Sequence, residues 1–378
     1  MPSPQPTIEL ADDNRVATDT GARLTGALTK LVSHRGIHHA DVTIASGDGS
    51  RLWSAAAGPA GETRRPGTPF FIASITKRLI IALVLQADER GELDLSLPIT
   101  HYLPTEVSAG LHVRGGVDRT PEITVRHLAS HTSGLPDHFE KRSDGTSLTK
   151  CLATGQDLAW TFDDMIHTTR ELQRPYFEPQ DLTAARQKAR YSDTGFQLLI
   201  RILETVTGRT FADLLTERIL DPLGMTHTWL PGHRPPDPTA GTPSPLYAKQ
   251  RRVDLTSMLE SSNDLFSTTA DLLTFHRALL AGELFADART RDQLTERRNR
   301  LRNIPVLRYG LGTMFYRLNR LVLAGRSPTT LVGHSGATGT WLFYCAELDL
   351  HLAGTVDQTK GQAIPFQFMA TCLRAWRA

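Results

Sequence analysis

Ser74 and Lys77 are the residues whose types and spacing most directly specify a reaction in this 378-residue chain. A serine hydroxyl is a weak nucleophile until a neighbour takes its proton, and a desolvated lysine whose pKa has fallen toward neutrality can do so. Three-residue spacing on a helix puts both side chains on one face. Ser74-Ile75-Thr76-Lys77 therefore offers a nucleophile and a base. Such a pair arises about once by chance in a chain this long, and Ser147-Leu148-Thr149-Lys150 has the same spacing. Surroundings distinguish the two. Residues 75–90 contain no Gly or Pro, are mostly apolar and stop before Gly91, the pattern of a buried helix with a left-handed cap. Ser74 would open that helix among unpaired N–H donors and the positive end of the dipole, where an oxyanion is stabilised. Ser147 lies in the polar, glycine-containing run 141–155, without apolar periodicity to bury a lysine, and is expected at the surface.

Other elements must bring partners to Ser74. Residues 1–13 have the composition of a flexible tail, and Val16, Leu24, Leu28, Leu31 and Val32 then recur at helical spacing. Residues 41–45 and 51–56 are strand-like runs around Ser46-Gly47-Asp48-Gly49-Ser50, a hairpin signal. A loop over 58–69 delivers the chain to Ser74. From 78 to about 301 the pattern is mainly helical, with a proline-rich loop at 231–245 and a Thr268 to Asp271 capping pattern opening a late helix. The turn His131-Thr132-Ser133-Gly134 is expected to satisfy backbone groups at a helix end rather than to act in catalysis. Strands return at 309–318, 330–332, 341–345 and 350–356, and 363–376 closes as a helix.

Composition excludes several function classes. The 42 basic and 40 acidic residues leave a formal net charge of +2 without long single-sign runs, so neither a nucleic-acid surface nor a polybasic membrane surface is expected. The cationic cluster at 289–302 is interrupted by Asp292 and Glu296 and suits a solvated face. Cys151, Cys345 and Cys372 are odd in number, far apart and lack metal-ligand spacing, so reduced thiols and no metal or cofactor are expected. No run approaches about twenty apolar residues and no signal peptide is visible, which points to a cytoplasmic protein without a membrane span.

Ser74-Ile75-Thr76-Lys77, Tyr191-Ser192-Asp193 and His334-Ser335-Gly336, in that order, resemble the three motifs of the serine β-lactamase and penicillin-binding protein superfamily, most closely its class C β-lactamase and esterase-like branch. His131-Thr132-Ser133-Gly134-Leu135 and Pro222-Leu223-Gly224-Met225 also look like landmarks of that family, so the likeness extends over most of the chain. It implies an α/β (α+β) fold in one catalytic domain, 14–378. An antiparallel sheet from N- and C-terminal strands, about 14–77 and 302–378, would be flanked by helices, with an all-helical lobe, about 78–301, inserted between. Ser74 would form an acyl-enzyme, Lys77 and Tyr191 would share the proton traffic, and the N–H groups of Ser74 and Ala337 would form the oxyanion hole. Asp193, His334, Ser335, Gly336 and Ala337 would face the substrate.

Two departures bear on function. Asp193 stands where the family has asparagine, and a carboxylate there would keep Lys77 protonated, favouring Tyr191 as base. His334 stands where classical members carry lysine, which weakens attraction for a substrate carboxylate, a pattern of esterases and transacylases. The leading expectation is a serine hydrolase of a small ester or amide. Alternatives are an acyltransferase using the same acyl-enzyme, a D-amino-acid peptidase or β-lactamase, and, outside catalysis, a β-lactam-binding sensor or inactive scaffold. Oligomeric state is not specified by the sequence.

Overall fold

A computed structural model describes residues 6–34, 36–59, 64–325 and 327–377. The expected tail at 1–13 and loop at 58–69 thus fall partly outside the described residues, at 1–5 and 60–63. Nine strands form one antiparallel sheet: β1 (Thr7–Leu10), β2 (Ala40–Ser46), β3 (Leu52–Gly58), β4 (Asn299–Arg300), β5 (Leu307–Tyr309), β6 (Met314–Leu318), β7 (Thr329–Gly336), β8 (Thr340–Cys345) and β9 (Leu350–Thr355). Their spatial order is β1-β3-β2-β9-β8-β7-β6-β5-β4. The hairpin expected at 41–56 is the β2–β3 pair, with Val42 opposite Ala55. β2 also pairs with β9, Ile44 opposite Leu352, so the two ends of the chain meet in mid-sheet.

One expectation needs correction. Residues 7–10 are not a tail but the edge strand β1, registered from Thr7 opposite Gly58 to Leu10 opposite Ala55. Without β1, strand β3 would leave a row of unpaired N–H and C=O groups. That backbone demand is invisible in a proline-rich, acidic composition.

The strand period of two separates two cores. On β8, Trp341 and Phe343 face α1 (Thr18–Val32) and a C-terminal helix, Ile364–Arg377, burying Leu24, Leu28 and Phe368 with them. Leu342 faces the other way, toward α2 (Lys77–Glu89), α3 (Asp193–Thr207) and α4 (Thr269–Ala281). The C-terminal helix is α5. Every residue of α2 from Lys77 to Ala87 is buried. A helix covered on all sides is central by necessity, and each fully buried Leu or Ile contributes roughly 1.5–3 kcal/mol. Helices are the main regular elements of 78–301, but the region is not the all-helical lobe expected, and its Asn299–Arg300 belongs to the sheet as β4. It also holds short strand pairs, Val113–Arg114 with Val117–Asp118 and Leu246–Ala248 with Arg251–Val253, while Phe266–Ser267 pairs with Phe70–Phe71 just before Ser74.

The competing Ser-x-x-Lys pair is a helix cap. Ser147 Oγ accepts from the Lys150 N–H at 3.3 Å, donates to the Phe139 carbonyl at 3.0 Å, and opens the helix Leu148–Thr154, with Lys150 exposed. Among the described residues no helix is long and apolar enough to cross a membrane, and all three cysteines are free.

Candidate active site

Ser74 sits in a single 3-10 turn, Ala73–Thr76, that runs directly into α2. Ala73 has φ +48°, a left-handed conformation that L-residues avoid unless their surroundings impose it. Three contacts impose it here. The Ile72 N–H donates to the Leu265 carbonyl at 2.9 Å, Thr340 Oγ1 donates to the Ile72 carbonyl at 2.9 Å, and Thr338 Oγ1 donates to the Phe71 carbonyl at 3.3 Å. The outcome is a half-exposed serine in a run whose other members, Ala73, Ile75, Thr76 and Lys77, are buried.

The end of β7 abuts this turn. A Cβ placed on Gly336 would lie 2.7 Å from the Ile72 carbonyl oxygen and 2.9 Å from Ala73 Cβ. Only glycine allows that approach, and it sets Ser335, Gly336 and Ala337 beside Ser74 on the wall of a cavity of about 450 Å³. Gly336→Ala is expected to push the strand off the turn. Its kcat should fall by about 10²-fold, since displacements near 1 Å have that effect, with stability lower by roughly 1–3 kcal/mol from overpacking. Steady-state kinetics beside thermal unfolding would check this, and an unchanged kcat would show that the close approach is not needed.

Four polar groups meet over Ser74. Lys77 Nζ donates to Ser74 Oγ at 3.1 Å and forms an ion pair with Asp193, the first residue of α3. Tyr191 O–H lies 3.5 Å from Asp193 Oδ1, and its oxygen also hydrogen-bonds the Ser74 hydroxyl. Burial by itself would lower the Lys77 pKa, but the Asp193 and Asp264 carboxylates outweigh it and hold the ammonium above its ordinary range. Burial and the Asp193 charge push the Tyr191 phenol well above 10, with the Ser74 hydrogen bond acting the other way. Burial raises Asp264 to about 6 against the opposing pull of Lys77. The resting site thus holds a cationic lysine and a neutral phenol. The carboxylate at Asp193 does to Lys77 what the substitution for asparagine implied.

Neighbouring elements fix Tyr191 from both sides. Asn303 accepts from the Tyr191 N–H at 3.0 Å and donates to its carbonyl at 3.1 Å. The His131 carbonyl accepts from the Arg190 N–H at 2.9 Å, His131 Nδ1 accepts from the Ser192 N–H at 3.3 Å, and the His131 ring packs on Tyr191 at 4.6 Å between centroids. The His131-Thr132-Ser133-Gly134 turn is therefore the support of the second motif, which is the structural role its sequence suggests.

His334 departs from its expected place. It does not line the cavity but is fully buried behind it, its Nδ1–H donating to the Ser335 carbonyl at 2.8 Å and its Nε2 accepting from Tyr309 O–H at 3.1 Å. Alternation along β7 turns it away from the face that Ser335 presents. Burial, with Lys77 nearby, depresses its pKa well below 6.5, so the ring is neutral. Asp137, Asp264 and Asn303 also line the cavity without any signal in the sequence. Each lies in a loop where a polar residue looks like an ordinary turn, and only long-range packing places it here. Asp137 is the clearest case, since it accepts from the N–H groups of Phe139, at 2.9 Å, and Asp193.

Comparison with known proteins places this chain among relatives. A family model described as Beta-lactamase matches residues 28–364. The putative penicillin-binding protein PbpX of Bacillus subtilis (strain 168) is 27% identical over 229 residues, covering 58% of this chain and 49% of that protein. Esterase EstB of Burkholderia gladioli is 29% identical over 213 residues, covering 55% and 51%. The chain thus spans about half the length of the curated relatives it matches. Among solved structures, a D-stereospecific amidohydrolase from Streptomyces sp. superposes with TM-score 0.72 at 26% identity, covering 92% of this chain and 97% of that one.

Proposed function

The chain belongs to the beta-lactamase family, and from that footing we propose that it is a serine hydrolase cleaving a small ester or amide through an acyl-enzyme on Ser74. The observation that carries this reading is the 3.1 Å contact of Lys77 Nζ with Ser74 Oγ, on a strained turn at the wall of a 450 Å³ cavity. Because Lys77 donates to Ser74, the serine proton is free to leave toward Tyr191. As Ser74 Oγ attacks the carbonyl carbon, its proton passes to the Tyr191 oxygen while the Tyr191 proton passes to Asp193. No phenolate has to exist at rest, which the raised Tyr191 pKa would forbid. The 3.5 Å Tyr191–Asp193 separation is of the loose kind that tightens when substrate closes a site. The Lys77 ammonium then stabilises negative charge developing on Ser74 Oγ, and the N–H groups of Ser74 and Ala337 receive the carbonyl oxygen. The leaving alcohol or amine takes a proton back along the same path, and water reverses the steps to free the acid.

Charge in the cavity supports a preference among substrates. Lys77 is the only cation of the described lining and is already paired with Asp193, whereas Asp137, Glu140 and Asp264 add carboxyl groups. A substrate carboxylate finds no free cation among the described lining residues, so neutral or amine-bearing acyl groups suit the site better. Intact-mass spectrometry with a fluorophosphonate is expected to show one adduct, mapped to Ser74 and absent from Ser147. In a parallel arm, penicillins, which carry a carboxylate, should acylate at least about tenfold more slowly than p-nitrophenyl butyrate. An adduct on Ser147 with Ser74 unlabelled would overturn the assignment.

A further inference from the structure

A second cavity, about 890 Å³, lies between α1 and α5. It shares no lining residue with the cavity of Ser74. The loop after β9 and the start of α5 border both, with Gln358, Lys360, Ile364 and Phe368 in this one and Gln362 and Phe366 in the other. Its volume falls in the range of ligand sites, about 300–1,000 Å³.

The lining has two parts. Leu31 on α1 and Ile364 and Phe368 on α5 supply an apolar floor, Leu31 and Phe368 being buried. Around it stand Lys30, His34, Lys249, Lys360 and Arg374, with no Asp or Glu among the described lining residues. In a chain with 42 basic and 40 acidic residues, fifteen lining positions should include about one or two carboxylates. Arg374 is held in place, Nη1 donating to the Val322 carbonyl at 2.6 Å and Nη2 to Thr371 Oγ1 at 2.9 Å. Lys30, Lys249 and Lys360 are exposed and enter no ion pair among the described residues. At one end Gln358 Nε2 donates to the Gly36 carbonyl and, at 3.1 Å, to the Lys249 carbonyl, joining the loop after β9 to the 36 and 249 segments.

Cations without counter-charges around an apolar floor complement a molecule with an anionic head and an aliphatic tail. We propose that the α1–α5 cleft binds a single-chain anionic amphiphile, its carboxylate or phosphate head at the lysine and arginine rim and its chain along Leu31 and Phe368. The site is separate from the Ser74 chemistry and stands whether or not that chemistry is correctly assigned.

The test is calorimetric titration of the full chain, with Ser74 blocked by a fluorophosphonate, using dodecyl phosphate and dodecanoate below their micelle concentrations. Saturable binding near one per chain is expected, weakened by salt and by at least about tenfold in the Lys30→Glu/Lys360→Glu double variant. Both lysines are exposed, so that variant should fold, which circular dichroism would verify. An Ala27→Trp variant, which fills the cleft, should also abolish binding. Dodecyl maltoside, dodecyltrimethylammonium and inorganic phosphate should each bind at least about tenfold more weakly than dodecyl phosphate. The proposal fails if dodecyl phosphate does not bind, if the head group makes no difference, if the double variant binds as well as the parent, or if only anionic phospholipid vesicles are bound.

Discussion

Ser74→Ala is expected to lower kcat/KM for p-nitrophenyl butyrate by about 10⁴-fold or more, the scale on which removal of a covalent nucleophile acts in serine hydrolases. The loss should fall on kcat, because the cavity walls from Ser335 to Ala337 and the Lys77–Asp193 pair are unchanged by removing one hydroxyl. Folding should be nearly unaffected, since among the described residues Ser74 caps no helix and its side chain hydrogen-bonds only Lys77 and Tyr191. Ser147→Ala is the matched control: turnover should stay at the parent level while stability drops by about 1 kcal/mol through loss of the helix cap. Initial-rate kinetics and thermal unfolding of the two variants together separate chemistry from capping. Retention of more than a tenth of the parent rate by Ser74→Ala would remove Ser74 from the mechanism.

The second large effect is expected at Asp193. If the serine proton travels through Tyr191 to Asp193, Asp193→Asn removes the final acceptor and kcat/KM near pH 7 should fall by about 10²–10³-fold, the usual worth of general-base catalysis. The same substitution takes away the carboxylate that offsets burial at Lys77. Its pKa must then fall, because desolvation of the ammonium is left opposed mainly by Asp264. Residual activity should therefore rise with pH at a lower pH than in the parent, as the uncharged amine becomes available. The sign for stability follows from the same shift. A folded-state lysine pKa above its unfolded value contributes stability that is complete below the unfolded pKa and is lost as pH rises through the folded value. Asp193→Asn should remove that contribution at neutral pH. A pH profile of kcat/KM from about 5 to 10 for parent and variant decides the matter. An asparagine variant as fast as the parent, or faster, would make Lys77 the base and Asp193 only its restraint.

Much of this architecture is written locally along the chain. The α2 helix is legible because eleven consecutive residues from Lys77 are compatible with burial on every side and Gly91, at φ +68°, stops it. The Thr268 cap over Asp271 and the β2–β3 hairpin are likewise legible, since each depends on residues within a few positions of one another. Strand β1 was not, because it exists to satisfy the edge of β3 and its own composition argues for a tail.

Sequence alone brought Ser74 and Lys77 forward, because their spacing gives a common helical face and the apolar run after them, unlike that around Ser147, predicts burial; the structure sets Nζ 3.1 Å from Oγ. Sequence also singled out Asp193 as the residue that would decide the protonation of Lys77. Tertiary structure alone decided how that happens. Only the packing of α3 against α2 brings Asp193 onto Lys77, only the clamp of Asn303 and the ring of His131 hold Tyr191 over the serine, and only the pleat of β7 turns His334 into the core. The division has one physical cause. Helix periodicity and caps are set by neighbours in the chain, whereas the charge state of a buried group is set by whatever distant segments the fold places against it.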